Sequence, residues 1–284
     1  MWRNMKEFSI VTKILLYLVL CVIAIVALFP LLWAISASLR TDTELYKYTT
    51  PLSINTFIPV KFTLESYITI FTDFNFSKPI LNTILLIAII VPSSCIVNSI
   101  AAFSFATFNF KFKAAIFSLF IISFMVPFES IAIPLYNVVN KFGWVDTRLA
   151  LIVPGIASGL VLFLFTQFFK DIPPSLIEAA RIDGASWLTV YGKIIMPSSI
   201  PVTITAGLMI FMDQWNAYLW PLLVARDKEI RTIQIALSSF KLERGTLWSC
   251  LYAGSIISAL IPIALFLPFQ KYFVQGVLSS GVKG

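Results

Sequence analysis

Histidine is absent from this chain of 284 residues. That excludes imidazole acid–base catalysis, Ser-His-Asp triads and His-ligated metal centres. Cysteine is scarce. Cys21, Cys95 and Cys250 are too far apart for a CxxC pair and supply neither a metal cluster nor a redox couple. Cys21 and Cys95 lie in apolar stretches, where a free thiol packs as a small hydrophobe. Charge is scarce as well: Asp, Glu, Lys and Arg make up 12% of the chain, about half the ~25% of an ordinary soluble domain. There is no G-x-x-x-x-G-K-[ST] sequence, so the chain has no P-loop with which to bind and hydrolyse ATP. No metal ligand set, internal repeat or low-complexity segment stands out.

Apolar residues are abundant, at 58%, with a mean hydropathy of +0.89. Length alone suggests about two soluble domains, but so little charge does not cover the surface of a soluble chain of this size. The composition therefore predicts a polytopic, all-α membrane protein. A bilayer core needs about 20 apolar residues per helix. Six stretches meet this: 11–36, 80–103, 114–136, 149–169, 198–223 and 251–269. The first follows Arg3, Lys6 and Lys13 but is too long for the apolar core of a signal peptide, so it reads as an uncleaved span.

Six spans place both termini on one side. Lys and Arg divide ten to eleven between the two sides and do not choose between them. The N-terminal segment, three bases against Glu7, mildly favours a cytoplasmic N-terminus. The net charge of +7 is scattered and forms no stripe for nucleic acid. The first loop (about 39–79) and the fifth (about 224–250) are long, polar and expected to carry short surface helices.

The fourth loop, 170–197, has helix punctuation of its own. Pro173 and Pro174 block extension backwards. Ser175 and Glu178 are spaced as a capping box, and Gly184 is placed to end the helix in the left-handed conformation. The pattern predicts a helix over Ser175–Asp183, then a helical run over Ala185–Ile195, with Pro197 opening the next span. Ala179 and Ala180 keep part of the first helix small; Leu176, Ile177 and Ile182 supply apolar contacts. Cap chemistry alone fits a plain surface helix as well as a docking element.

The spacing Glu178-Ala179-Ala180, three residues, Gly184, nine residues, Ile194, one residue, Met196-Pro197 resembles the EAA loop of ABC importer permeases, E-A-A-x3-G-x9-I-x-L-P. Met196 for Leu is the one departure, a volume-conserving change. Further likeness runs along nearly the whole chain, to the carbohydrate-uptake (maltose-type) branch: Phe29-Pro30-Leu31-Leu32-Trp33, Ile133-Pro134-Leu135-Tyr136, Trp215-Asn216, and the tail Gln270…Gln275-Gly276…Gly281-Val282-Lys283-Gly284. The resemblance implies a type I ABC importer permease fold, a single transmembrane domain over 1–284 with cytoplasmic termini in a prokaryotic cell membrane. It implies no enzyme activity and no cofactor bound here, ATP and Mg belonging to a partner ATPase. It further implies a cytoplasmic dimer of ATP-binding subunits, a second homologous permease completing a heterodimer, an extracytoplasmic solute-binding protein and a sugar or oligosaccharide substrate. Glu178, Ala179, Ala180, Asp183, Gly184, Ile194 and Pro197 would then couple to the ATPase.

Two acids fall within or beside spans, Glu129 and Asp213. Such groups usually face a cavity or a polar partner. Asp213, Gln214, Trp215 and Asn216 combine acceptors, donors and an aromatic face, a mix suited to a polyhydroxylated solute. Equally, Asp213 and Asn216 could tie two helix ends together. Gly155 and Gly159 form a G-x-x-x-G that permits close helix packing. Asn75-Phe76-Ser77 matches a glycosylation sequon of little weight in a prokaryotic family. An ABC permease for glycerol-3-phosphate, an amino acid or a peptide is the alternative reading. A secondary transporter is disfavoured by the lack of repeats, and an intramembrane enzyme by the lack of a nucleophile–base constellation.

Overall fold

The computed structural model describes residues 10–242 and 245–281, with side chains from 271 onward left aside. Arg3, Lys6, Glu7, Glu243, Arg244 and the tail Val282–Gly284 therefore lie outside the described residues. The chain is helical almost throughout. In order come α1 (Ile10–Ser38), α2 (Asp42–Lys47), α3 (Ile54–Phe57), α4 (Glu65–Thr72), α5 (Ser77–Thr107), α6 (Lys113–Met125), α7 (Phe128–Lys141) and α8 (Arg148–Ile156). Then follow α9 (Gly159–Lys170), α10 (Pro174–Ile182), α11 (Trp187–Val190), a π turn (Tyr191–Ile195), α12 (Met196–Ser198), α13 (Ile200–Asn216), α14 (Leu219–Val224) and α15 (Ile233–Ser238). A two-residue hairpin, β1 (Lys241–Leu242) paired antiparallel with β2 (Gly245–Thr246), precedes α16 (Trp248–Gly281).

Among the described residues, four helical segments are long and apolar enough to cross a bilayer: Val11–Ser38, Ser77–Thr107, Arg148–Lys170 and Trp248–Gln270. The expected third and fifth spans are instead bent pairs. α6 and α7 meet at 101°, and Trp187–Ser198 meets α13 at 79°. The first bend has a local cause. Pro127 disfavours helical backbone at the residue before it, and Val126 is extended there, with φ −71° and ψ 124°. The fifth stretch also breaks near its far end, at extended Ala217. The first and fifth loops do carry short helices, α2–α4 in one and α15 in the other.

The chain divides into two compact units, Met1–Phe76 with Leu237–Ala259, and Ser77–Ala236 with Leu260–Gly284. In the first, Arg40 organises the turn after α1. Its side chain is only 1% exposed; Nη1 donates to Asn55 O at 2.7 Å and Nη2 to Ser36 Oγ at 2.8 Å. Burial pushes the guanidinium pKa below its ordinary value, and the Glu44 carboxylate, 3.9 Å from Nε, opposes that shift. Tyr252 links Trp33 edge-on (5.1 Å) to Trp248, stacked at 6.1 Å.

In the second unit α5 is the hub, packed against α8, α9 and α13. The span Arg148–Lys170 is interrupted at Ala157–Ser158, which frees backbone groups inside an apolar layer. Such groups must be satisfied by neighbouring protein. Asn98 of α5 does this: Nδ2 donates to Ile156 O at 2.9 Å, and Oδ1 accepts from Ser158 N at 3.2 Å. Ser158 then caps α9 by accepting from Val161 N.

The two glycines flank this break, and both pack within the chain. A Cβ on Gly155 would sit 3.4 Å from Gln214 and Ile90, but one on Gly159 would lie 2.6 Å from Phe124 Cβ. The second contact is with an atom fixed to the backbone, so α6 would have to move. Gly159→Ala should cost about 1–3 kcal/mol by overpacking and lower the thermal midpoint of the detergent-purified protein well below that of Gly155→Ala. Equal midpoints for the two variants would refute this packing account.

Candidate functional site

The fourth loop is ordered, with Val190 and Ile195 buried in its second half. α10 has no buried residue. It starts one residue earlier than the capping-box spacing predicts: Pro174 occupies the first turn after Pro173, and no side chain caps the helix. Ser175 therefore lies inside the first turn. Proline suits that position because its missing N–H is one the helix leaves unpaired anyway. The predicted ending is present. Gly184 has φ +82°; its N–H donates to Arg181 O at 3.2 Å and Ala185 N–H to Ala180 O at 3.0 Å. That pair is the Schellman motif.

Glu178, Ala179, Asp183, Gly184 and Pro197 are exposed, and Ala180 and Ile194 half-buried. Glu178 has no hydrogen-bond or ion-pair partner among the described residues. Ile182 is 86% exposed and Leu188 82%, with Leu176 also exposed. Isolated exposed apolar residues are ordinary. Here three fall within thirteen residues of one loop, two of them on the same short helix as the Glu178 carboxylate.

What anchors the loop lies just after the helix. Ser186 caps α11, accepting from Thr189 N at 3.2 Å. The Arg181 guanidinium lies over the Trp187 ring at 4.5 Å from its centroid and donates to Ala185 O at 2.6 Å. The predicted second helical run is present but irregular: a single α turn, then the π turn, then α12. Arg181, Trp187 and Leu188 were not singled out by the sequence reading. An arginine six residues before a tryptophan, across a glycine stop, was the available signal.

The residues considered for a solute path are dispersed. Trp215 is 2% exposed, its ring stacked on Phe211 at 5.6 Å; it offers no open aromatic face within this chain. Asp213 and Asn216 are exposed. Asp213 accepts from its neighbour Gln214 Nε2 at 3.0 Å, and Asn216 donates to Met212 O one turn back. Neither ties two helices together; Gln234, donating to Trp215 O at 3.1 Å, makes the tie there. Glu129 sits exposed in the first turn of α7, just past the bend at Pro127. The cavity beneath Gln214, lined also by Thr83, Ile90, Trp220 and Thr232, measures about 20 Å³. It admits roughly one water molecule, not a sugar ring. Thr232 Oγ1 is buried there with no partner.

Long apolar helices, two bent helix pairs and an exposed loop closed at Gly184 define a multi-pass membrane protein. The match to known proteins gives that class its name. Residues 94–279 fit the family described as binding-protein-dependent transport system inner membrane component, and the chain belongs to it. It is 34% identical over 263 residues, 92% of its length and 93% of the relative's, to the arabinooligosaccharides transport system permease protein AraQ of Halalkalibacterium halodurans. It is 30% identical over 286 residues, 99% of its length, to the trehalose/maltose transport system permease protein MalG of Thermococcus litoralis. Its fold matches a chain in the crystal structure of a bacterial ABC transporter involved in import of the acidic polysaccharide alginate, with TM-score 0.80 and 22% identity over 94% of this chain.

Valine at Gly184 would have to adopt the left-handed conformation, which costs an L-residue about 1–2 kcal/mol. Hydrogen exchange should therefore quicken at the amides of residues 184 and 185 in Gly184→Val, with α5 and α9 unaffected. Unchanged protection at 184 and 185 would rule out the Schellman closure.

Proposed function

We propose that this chain is one of two homologous membrane-spanning subunits of an ATP-driven importer for a sugar or oligosaccharide. It crosses a prokaryotic inner membrane six times, as one permease domain with both termini cytoplasmic, counting each bent pair as one span. The fourth loop is then cytoplasmic, and α10 docks into a cleft of an ATP-binding subunit that holds ATP and Mg. Solute arrives from an extracytoplasmic binding protein. The single observation that carries the docking role is the exposure of Leu176, Glu178 and Ile182 on α10, a helix with no buried residue, with exposed Leu188 following on α11.

Mechanistically, this chain supplies no reaction. Ala179 and Gly184 lack bulk and permit close approach. Ile182 and Leu188 lose water on docking, worth about 1.5–3 kcal/mol for a fully buried side chain. Asp183 closes α10, while Ile194 and Pro197 lie where the loop returns to the span. Closure of the ATPase dimer rocks the spans between inward- and outward-facing states, a rigid-body transition. The solute path runs between the two permeases, with Asp213, Asn216 and Glu129 as this chain's polar contribution; Trp215 holds the helix beneath them. A path shared with a second subunit is supported by the exposure of Asp213, Asn216 and Glu129 on this chain. Carbohydrate is supported by the solutes for which the arabinooligosaccharide and trehalose/maltose relatives are named.

Ile182→Ser with Leu188→Ser should cut co-purification of the ATPase subunit at least tenfold while membrane insertion persists. Full retention of the ATPase would sink the docking surface. Glu178→Ala should leave the complex assembled but transport poorly. For the solute, the reconstituted complex with its binding protein should show ATP hydrolysis stimulated by one of a panel of oligosaccharides. Stimulation only by glycerol-3-phosphate, amino acids or peptides would move the assignment to those solutes.

A further inference from the structure

α10 packs Ile177 and Ala180 directly against the core cluster of its unit, and two further routes lead from it into the transmembrane helices. The covalent route runs along the chain through α11, the π turn and α12 to α13. It contains two soft points. The π turn spans Tyr191–Ile195, and a Cβ on Gly192 would meet nothing within 4 Å. The 79° bend follows at Ser199. π turns inside helices are frequent at functional sites, where they disrupt the regular hydrogen-bond ladder.

The second route is a line of side-chain contacts. Arg181, in the last turn of α10, stacks on Trp187. The Trp187 ring meets Phe108 edge-on at 4.8 Å and Phe103 at 6.4 Å. Phe103 also touches Tyr191 at 5.6 Å, and the Tyr191 hydroxyl bonds to Ser99 Oγ at 2.7 Å. Phe103 is buried in the core cluster, and Ser99 is fully buried. Both belong to α5, the hub on which α8, α9 and α13 pack. An arginine plane over an indole is a directional contact worth about 0.5–1 kcal/mol when exposed and about 2 or more when desolvated. Edge-on aromatic pairs add about 0.5–1.5 kcal/mol each.

We infer that Trp187 is a positioning residue for coupling: it transmits displacement of α10 to α5 through Arg181 on one side and Phe108 and Phe103 on the other, in parallel with the compliant chain route to α13. The inference rests on the reading of α10 as the ATPase contact. Trp187 does not grip the ATPase in this account; it holds the docked helix in register with α5. Loss of the indole therefore leaves docking intact and loosens the register of α10 against α5, with only Ile177 and Ala180 of α10 still packed on the core.

The test uses the whole complex, both permeases with the ATPase, reconstituted in vesicles with its binding protein. Three readings are compared: ATPase co-purification, ATP hydrolysis, and solute taken up per ATP hydrolysed. Trp187→Ala should keep the first within twofold of the unmutated complex and lower uptake per ATP at least tenfold. Trp187→Phe, which restores a ring against Phe108, should recover at least a third of the ratio. Arg181→Lys keeps the charge but loses the planar stack and should fall between them. If Trp187→Ala fails to assemble, Phe108→Ala removes the partner ring outside the docking loop and should show the same fall in uptake per ATP. An unchanged ratio in Trp187→Ala, or in Phe108→Ala if Trp187→Ala does not assemble, overturns the proposal. Loss of ATPase co-purification in Trp187→Ala together with an unchanged ratio in Phe108→Ala assigns Trp187 to docking and overturns it too. Failure of the unmutated complex to couple ATP to uptake is a different result: it overturns the functional reading itself.

Discussion

The fold depends on one satisfied break. A helix interrupted inside a bilayer leaves a carbonyl and an amide with no water to take them. Here the side-chain amide of Asn98 accepts one and donates to the other, replacing the missing helical bonds of Ile156 and Ser158. Because the break is closed from α5, α5 is fixed against both halves of the Arg148–Lys170 span. The same break places Gly159 at the start of α9, where its lack of a side chain lets α6 approach. An apolar residue at 98 would fill the space but leave both backbone groups unmet.

From that hub, order is carried outward to a loop that buries little of itself. α10 is held by its ends, through Pro174 at the start and the Gly184 closure, and by the guanidinium–indole contact beside it. These local devices leave one side of the helix open. Lys78 and Glu229 pair, and Asn82 donates to Glu229 O and Arg231 O. Asp146 Oδ1 accepts from the backbone N–H groups of Arg226 and Asp227. The loop before α15 is thus tied down by polar contacts, whereas the fourth loop is finished with apolar side chains facing out. Two loops of similar length thus have opposite surface chemistry, as the proposed docking of the fourth would require.

Much of this was legible in the sequence wherever a single residue type has one physical use. Gly184 marks the helix end because few other residues take φ +82°. The apolar stretches mark the membrane helices because little else explains so little charge. The misreadings came from residues with two uses. Ser175 is a good cap and also a tolerable first-turn residue; Pro174 settles the choice through its fixed φ. Prolines within apolar stretches range from harmless, as Pro92 inside α5, to decisive, as Pro127. Trp215 offers an aromatic face in sequence, but its environment depends on Phe211 stacking against it. Asn98 looked like one more polar residue in a span, because its partners lie about sixty positions away. The Trp187 contacts were hidden for the same reason: Phe103 and Phe108 are remote in sequence.

The outward-facing Ile182 and Leu188 have a consequence for the life of the subunit before assembly. If α10 docks as proposed, they are covered in the finished transporter. On a lone copy they would project from the loop into water, beside a helix that meets the core only through half-buried Ile177 and Ala180. Exposed apolar surface of this kind is an aggregation liability. On the docking reading, the surface that would meet the ATPase is thus also the surface through which unassembled copies of this chain would meet one another.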